Sequence, residues 1–435
     1  MPASPANDPN LRSWIDIHPG DDFPIQNLPF GVMDVPEWGP RLAVAIGGYA
    51  LDLYECAQLG YFDSIAGDVP ALGAALPKVF RRRSLNAFLR LGPAAWRAVR
   101  ARVSELLRHD NPSLRDNELA IRTCLLRQRD VTMLRPVKPT SYVDFYSSLE
   151  HATNVGLMFR PDNPLLPNWR HLPIAYHGRA NSIVVSGTDV RRPQGQYRPA
   201  GQETPVFGPT QQLDFELETA FIVGQGTAQG STVPLAEAEN RIFGLVLFND
   251  WSARDIQSWE YQPLGPFLGK NFASSVSPWV VTLDALEPFR VAGPAQEPQP
   301  LPYLQGASEQ HFDIELEVLI QPAGSTVAPY VISRTNMRHL YWSMAQQLTH
   351  HASNGCPLDA SDIYASGTIS GPTPGSLGSL LELTQRGTQP LALPGDLQLG
   401  FLRDGDTVIL KGFAEKNGIR IGLGEVSGTV LPAAD

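Results

Sequence analysis

The stretches NSIVVSG, LDFELETAFIVG, RIFGLVLFND, PWVVTLDAL, FDIELEVLI, GDTVILKGF and GIRIGLGEVSGTVL divide the chain beyond residue 180 into strand-length pieces. Each is rich in β-branched residues and bounded by Gly, Pro or Asn, the composition and punctuation of β-strands. With 38 Gly and 39 Pro among 435 residues, the chain has turns enough to join many of them. One helix is expected to interrupt the strands at 335–353, with Met337, Leu340, Met344 and Leu348 on one face and Asn354-Gly355 as its stop. The expected class is mostly β with some α (α+β).

Before residue 138 the pattern is mixed. RLAVAIGGYALDL (41–53) reads as a β-hairpin closed by Gly47-Gly48. Residues 81–109 read as a helix, with Trp96, Val99, Val103 and Leu106 at three- and four-residue steps and most of eight arginines on the polar side. Such an arginine run is expected to be a solvated face, and a formal net charge of -10 argues against a phosphate-backbone binder. TMLRPVKPTSY (132–142) has two prolines and no periodicity. The domain boundary is placed there, giving 1–138 and 139–435. Three cysteines without metal-ligand spacing fit a reducing compartment. The N-terminus lacks an apolar signal core, and no apolar run is long enough to span a membrane. A cytoplasmic protein is expected, with neither nucleic-acid nor membrane partners.

Three clusters have the residue types of chemistry. In NDWSARDIQSWEYQPLGPFLGK (249–270), Asp250, Arg254, Gln257 and Tyr261 fall on one face if the segment is helical. In LDFELETAFIV, strand alternation places Asp214, Glu216 and Glu218 together, an acidic face that a hard divalent cation would neutralise. Asp313, Glu315 and Glu317 repeat that pattern, so at least one occurrence is expected to be an ordinary solvated strand face. The third cluster, YVDFYSSLEHATNVGLMFR, contains Asp144, Tyr146, His151 and Arg160. His350-His351 are expected to meet the negative end of a helix dipole. Cys356 has no assigned base, and no zinc spacing, Walker loop or nucleophile elbow is present.

Together with DFPIQNLPFGV, LPIAYHGRANSIVVSG, SPWVV, QLTHHASNGCPL, ASGTISGP and GSLLEL, these stretches resemble the fumarylacetoacetate hydrolase family in its full-length, two-domain form. The resemblance runs in order through nearly the whole chain. It implies a small N-terminal SH3-like barrel domain, a large C-terminal β-roll domain and a homodimer. It also implies a Ca²⁺ or Mg²⁺ ion on Asp144, Glu216, Glu218 and Asp250, leaving Glu315 and Glu317 as the ordinary copy. His151 falls on the family's catalytic histidine and Glu382 on the glutamate that orients it. Arg254, Gln257 and Lys270 fall on oxyanion-stabilising positions, and Tyr146, Arg160, Gln257, Tyr261 and Thr368 on substrate contacts. Lys270 and Ser274 border a second ion site, where relatives often carry threonine in place of Ser274. Leu149-Glu150 departs from the basic and amide residues expected before the histidine.

The implied reaction is hydrolysis of a carbon–carbon bond between two carbonyls of a small diketo acid. Acylpyruvate hydrolysis and hydroxymuconate-type isomerisation use the same scaffold, but the N-terminal domain and the His151–Glu382 pair argue against them. A Ca²⁺ site that only orders a binding loop would explain the carboxylates but not His151 or Lys270.

Overall fold

A computed structural model describes residues 4–18, 20–65, 72 and 75–434. It is a mixed α and β structure with an N-terminal unit and a large C-terminal β-sheet domain, and no closed barrel is found among the described residues. The hairpin forms as expected, Gly39–Ile46 against Tyr49–Asp52 with Ile46 opposite Tyr49. The N-terminal strands do not end at the boundary segment. Phe30–Val35 pairs with Trp279–Thr282, Phe30 opposite Val280, so the two regions share one sheet.

That sheet continues through Ile242–Asp250, Leu217–Val223, Ile363–Ala365, Tyr142–Phe145 and Ala175–His177. Its middle strands are covered on both faces, which accounts for the unbroken apolar run RIFGLVLF. Leu245 and Leu247 enter the C-terminal core, while Phe243, Val246 and Phe248 enter the core shared with the N-terminal region. A second sheet is built on Glu315–Gln321, Thr407–Lys416 and Ile419–Leu431.

Two helix expectations are corrected. The stretch 81–109 is not one helix: Asn86–Leu89 and Pro93–Leu107 are separate, broken where Gly92 takes φ 86° and Pro93 starts the second helix. Nor are its arginines all solvated. Arg100 is 2% exposed and donates to the carbonyls of Asn27 and Gln26, tying the helix to the N-terminal segment. The helix expected at 335–353 runs only from Met344 to Ala352. Residues 330–336 are strand, and a capping box between Ser343 and Gln346 sets the start. Met337 and Leu340 therefore belong to a strand exit and turn, although they reach the same core as Met344 and Leu348.

Candidate metal centre and active site

Four carboxylates converge where neighbouring strands end. Asp144 lies on Tyr142–Phe145, which runs parallel to Ile363–Ala365 with Asp144 beside Ala365. Glu218 lies on Leu217–Val223, between Ile363–Ala365 and Ile242–Asp250. Asp250 closes the latter strand opposite Ser274, and Glu216 precedes Leu217 with its N–H on Asn249 Oδ1 at 3.0 Å. One oxygen from each of Asp144, Glu216, Glu218 and Asp250 lies within 4.8 Å of the others, and all four residues are buried.

The segment expected to be one helix from residue 250 is in fact a strand end followed by a short helix. Asp250 is the last strand residue, the helix is Arg254–Glu260, and Tyr261 caps it. Arg254 does not pair with Asp250. Its Nε donates to Asp214 Oδ2 at 2.8 Å and its Nη1 to Glu216 Oε1 at 2.7 Å and Gln257 Oε1 at 3.3 Å, while Nη2 is buried without a partner. The loop after the helix folds back on it because Gly269 packs on the Gln257 backbone, where a Cβ would come within 2.8 Å. That return carries Lys270 inward. Its ammonium donates to Glu216 Oε2 and, at 2.9 Å, to Asp250 Oδ2.

Asp214 leaves the acidic face that simple alternation predicts. It ends the short strand Leu213–Asp214, paired with Ser252–Ala253, and turns its carboxylate away from the cluster to Arg254. Asp313, Glu315 and Glu317 form no such cluster. They meet Arg338, Arg334 and Asn336 near the surface, as an ordinary strand face would.

Charge is unbalanced at this centre. Burial raises Asp144 and Glu218 well above the usual carboxylate range, and the other carboxylates of the cluster push both further. Burial would raise Glu216 as well, but Lys270 and Arg254 outweigh it and hold the group low. Asp144 Oδ1 and Glu218 Oε1 have no hydrogen-bond partner although buried. Lys270 and part of Arg254 cannot neutralise four acids. Unpartnered oxygens and excess negative charge in an all-oxygen donor set fit a hard divalent cation.

Beside the cluster, the helix Leu149–Phe159 presents His151 in its first turn, where Ser148 Oγ accepts the His151 N–H. His151 Nδ1 lies 2.7 Å from Glu382 Oε2. Glu382 is almost fully buried and also accepts from Asn154, Ser370 and Ser379. Burial would raise its pKa, but the His151 charge and the hydrogen bonds from His151, Asn154 and Ser379 outweigh it and hold the group below its ordinary range. Tyr146 stands edge-on to the His151 ring at 5.3 Å, its hydroxyl raised by burial and by the charges of Glu382 and Glu216. Thr368 is 2% exposed with Oγ1 unpartnered.

Other expected contacts lie further out. Arg160 is exposed at the helix end, donating to Pro164 O at 3.3 Å, yet its charge reaches the Tyr146 hydroxyl. The Tyr261 hydroxyl accepts from Gln262 at 3.1 Å. Ser274 Oγ donates to Asp250 Oδ1 at 2.7 Å. Glu150 is partly buried, with its pKa raised first by burial and then by Glu382, and its Oε2 has no partner. His350 and His351 do close a helix, and their rings meet the hydroxyls of Tyr303 and Tyr364.

Sequence reading missed Tyr176, whose hydroxyl donates to Asp250 Oδ2 at 2.8 Å. No local signal marks it, since its position follows from the pairing of Tyr176 with Asp144 across two strands. It also missed the Gly367 N–H that donates to Glu218 Oε2 at 3.0 Å. Gly367 has φ 76° and lies so close to Phe145 O that a Cβ would clash at 2.2 Å. Ser379 was legible: Ser379 and Glu382 in GSLLEL have the spacing of a helix N-cap and its N3 acid.

Comparisons with known proteins agree over nearly the whole chain. Residues 140–431 match the family model "Fumarylacetoacetate (FAA) hydrolase C-terminal", and residues 26–136 match "Fumarylacetoacetase N-terminal". The chain is 50% identical to fumarylacetoacetase of Caenorhabditis elegans, covering 97% of this chain and 100% of the relative. It is 49% identical to the Oryza sativa protein of that name (97% and 98% covered) and 48% identical to the Homo sapiens one (97% and 99%). Among solved structures, a fumarylacetoacetate hydrolase from Exiguobacterium antarcticum matches with a TM-score of 0.51 at 16% identity, covering 93% of this chain and 99% of that one. This last likeness is one of fold.

Proposed function

The chain belongs to the fumarylacetoacetate hydrolase family, and on that premise we propose that it hydrolyses 4-fumarylacetoacetate to fumarate and acetoacetate, the last step of tyrosine catabolism. The observation that carries this reading is the His151–Glu382 pair set beside the buried carboxylates Asp144, Glu216, Glu218 and Asp250. In the reaction, water adds to the fumaryl carbonyl carbon, the bond from that carbon to the neighbouring methylene breaks, and the departing enolate takes up a proton to give acetoacetate.

Each step makes a demand that a residue here can meet. Glu382 occupies His151 Nδ1, leaving Nε2 to take the proton from water, and a positioned base contributes about 10²–10⁴-fold. The unpartnered Nη2 of Arg254, with Gln257 and Lys270, serves the oxygen on which negative charge develops. Tyr146, Arg160, Tyr261 and Thr368 hold the carboxylate ends of the substrate. Asp144, Glu216, Glu218 and Asp250 would hold Ca²⁺ or Mg²⁺, which when bound supplies a Lewis acid for the substrate oxygens. A second ion beside Lys270 and Ser274, a homodimer, a cytoplasmic location and a domain boundary near residue 138 complete the reading. They rest on the family resemblance and, for the boundary, on the gap between the two matched family regions. Among the described residues no helix is long and apolar enough to cross a membrane.

The test is direct. Protein supplied with Ca²⁺ or Mg²⁺ should abolish the diketone absorbance of 4-fumarylacetoacetate and release fumarate and acetoacetate in equal amounts. Turnover of acylpyruvates with no reaction on 4-fumarylacetoacetate would overturn it.

A further inference from the structure

Asp214 is 0% exposed and takes no place in the carboxylate cluster, yet both of its oxygens are fully engaged. Oδ1 accepts the N–H groups of Phe215 and Leu380, each at 2.8 Å. Oδ2 accepts the Leu381 N–H at 2.9 Å and Arg254 Nε at 2.8 Å. Leu380 and Leu381 open the turn Leu380–Leu383, whose next residue is Glu382. One carboxylate thus grips the guanidinium on one side of the site and the backbone that carries the histidine's partner on the other.

We infer that Asp214 is a positioning residue that sets Arg254 and the His151–Glu382 pair in register with each other. This inference rests on the proposed reaction, in which both groups act on one substrate. The physical case lies in how Arg254 is held. Three of its contacts, to Asp214, Glu216 and Gln257, use Nε and Nη1, and the plane of the guanidinium is fixed by them, so Nη2 points in one direction only. Without the Nε contact the group could turn about its remaining bonds to Glu216 and Gln257. Glu382 is held by three side-chain donors besides His151 and its own N–H donates to Ser379 Oγ, while the two residues before it, Leu380 and Leu381, are anchored through the N–H groups that Asp214 accepts. A displacement there moves Glu382 and, through it, the His151 ring. Charge alone does not require this arrangement, because Arg254 already has Glu216 as a partner. The backbone bonds are what make Asp214 a link between the two groups.

Asp214→Asn keeps the shape of the side chain but replaces one acceptor oxygen by a donor, so it gives up either the N–H groups of Phe215 and Leu380 or those of Leu381 and Arg254, and the four contacts can no longer coexist. The expected result is a kcat lowered roughly 10–100-fold, the scale on which supporting groups around a metal site act. KM should change little, and Ca²⁺ should bind with unchanged stoichiometry by calorimetry. Combined with Arg254→Met or with Glu382→Gln, the substitution should cost much less than the product of the separate losses. Normal kcat per Ca²⁺-binding chain, or losses that multiply in both double variants, would overturn the inference. If Asp214→Asn does not fold, Asp214→Glu decides, since it keeps the charge but moves it by one methylene. A lowered kcat at unchanged KM supports positioning, and a wild-type kcat overturns it. Failure of the unmodified protein to cleave 4-fumarylacetoacetate would instead reject the proposed reaction, so the two failures are distinguishable.

Discussion

His151 and Glu382 stand 231 positions apart in the chain and 2.7 Å apart in the folded protein, Nδ1 to Oε2. Both are nearly excluded from solvent, and three further donors fix the carboxylate in place. The geometry engages Nδ1 in a structural contact and leaves Nε2 as the nitrogen for the proposed reaction.

His151→Ala should therefore lower kcat by about 10²–10⁴-fold, the usual contribution of a general base, while the fold and Ca²⁺ binding persist. Glu382→Gln should be milder, because the amide still orients the ring but cannot stabilise its charged form. Steady-state kinetics on the single and double variants check this. Losses that multiply would show that the two residues act independently.

Chelation should abolish activity and lower Tm, since an ion bound only by the folded state stabilises it and its removal leaves four acids facing one another. Ca²⁺ or Mg²⁺ should restore both quantities, and a thiophilic ion should not. Glu315→Gln and Glu317→Gln should leave Ca²⁺ affinity unchanged in a calorimetric titration, because these groups lie near the surface on another strand.

Asp250→Asn and Arg254→Met should fail in different ways. The first weakens a ligand that also accepts from Tyr176, Lys270 and Ser274, so affinity for the ion falls and high Ca²⁺ recovers part of the turnover. The second removes a donor required once substrate is in place, lowering kcat roughly 10²–10³-fold with no repair by added metal. Arg254→Met also frees Glu216 of one cation, which should tighten Ca²⁺ binding slightly. Turnover measured across a Ca²⁺ titration distinguishes the two, and equal rescue of both variants would show that Arg254 serves only the ion.

Asp362 gives a pH-dependent test outside the site. It is 3% exposed with Oδ1 unpartnered, and burial pushes its pKa up from 3.8 to about 6. The folded protein binds this proton more tightly than the unfolded chain does. The destabilisation is therefore absent below the unfolded value and complete above the folded one, roughly pH 4 and pH 6. Asp362→Asn should raise stability by about 1–3 kcal/mol at pH 8 and change little at pH 4, as read from denaturant midpoints.

Local pattern determined much of this protein. The hairpin at Gly47-Gly48, the strands from Ile183 onward and the residue types of the proposed active site were all legible, because alternation, β-branching and turn residues act over a few positions. Helix limits at Gly92-Pro93 and at the Ser343–Gln346 box also had local signals, though apolar periodicity extended past them. What pattern could not decide was which strand lies beside which. Tyr176 reaches Asp250 because its strand pairs with that of Asp144, and no residue near 176 encodes that neighbour. Asp214 and Glu216, two apart and expected on one face, separate because Asp214 pairs across to Ser252 and is claimed by Arg254 and the Leu380 turn. The sequence supplied the acids and cations. Their division between the buried carboxylate cluster, the contacts of Arg254 and the anchor of the Leu380 turn was decided by strand register and by competition for buried partners, which exist only once the chain has folded.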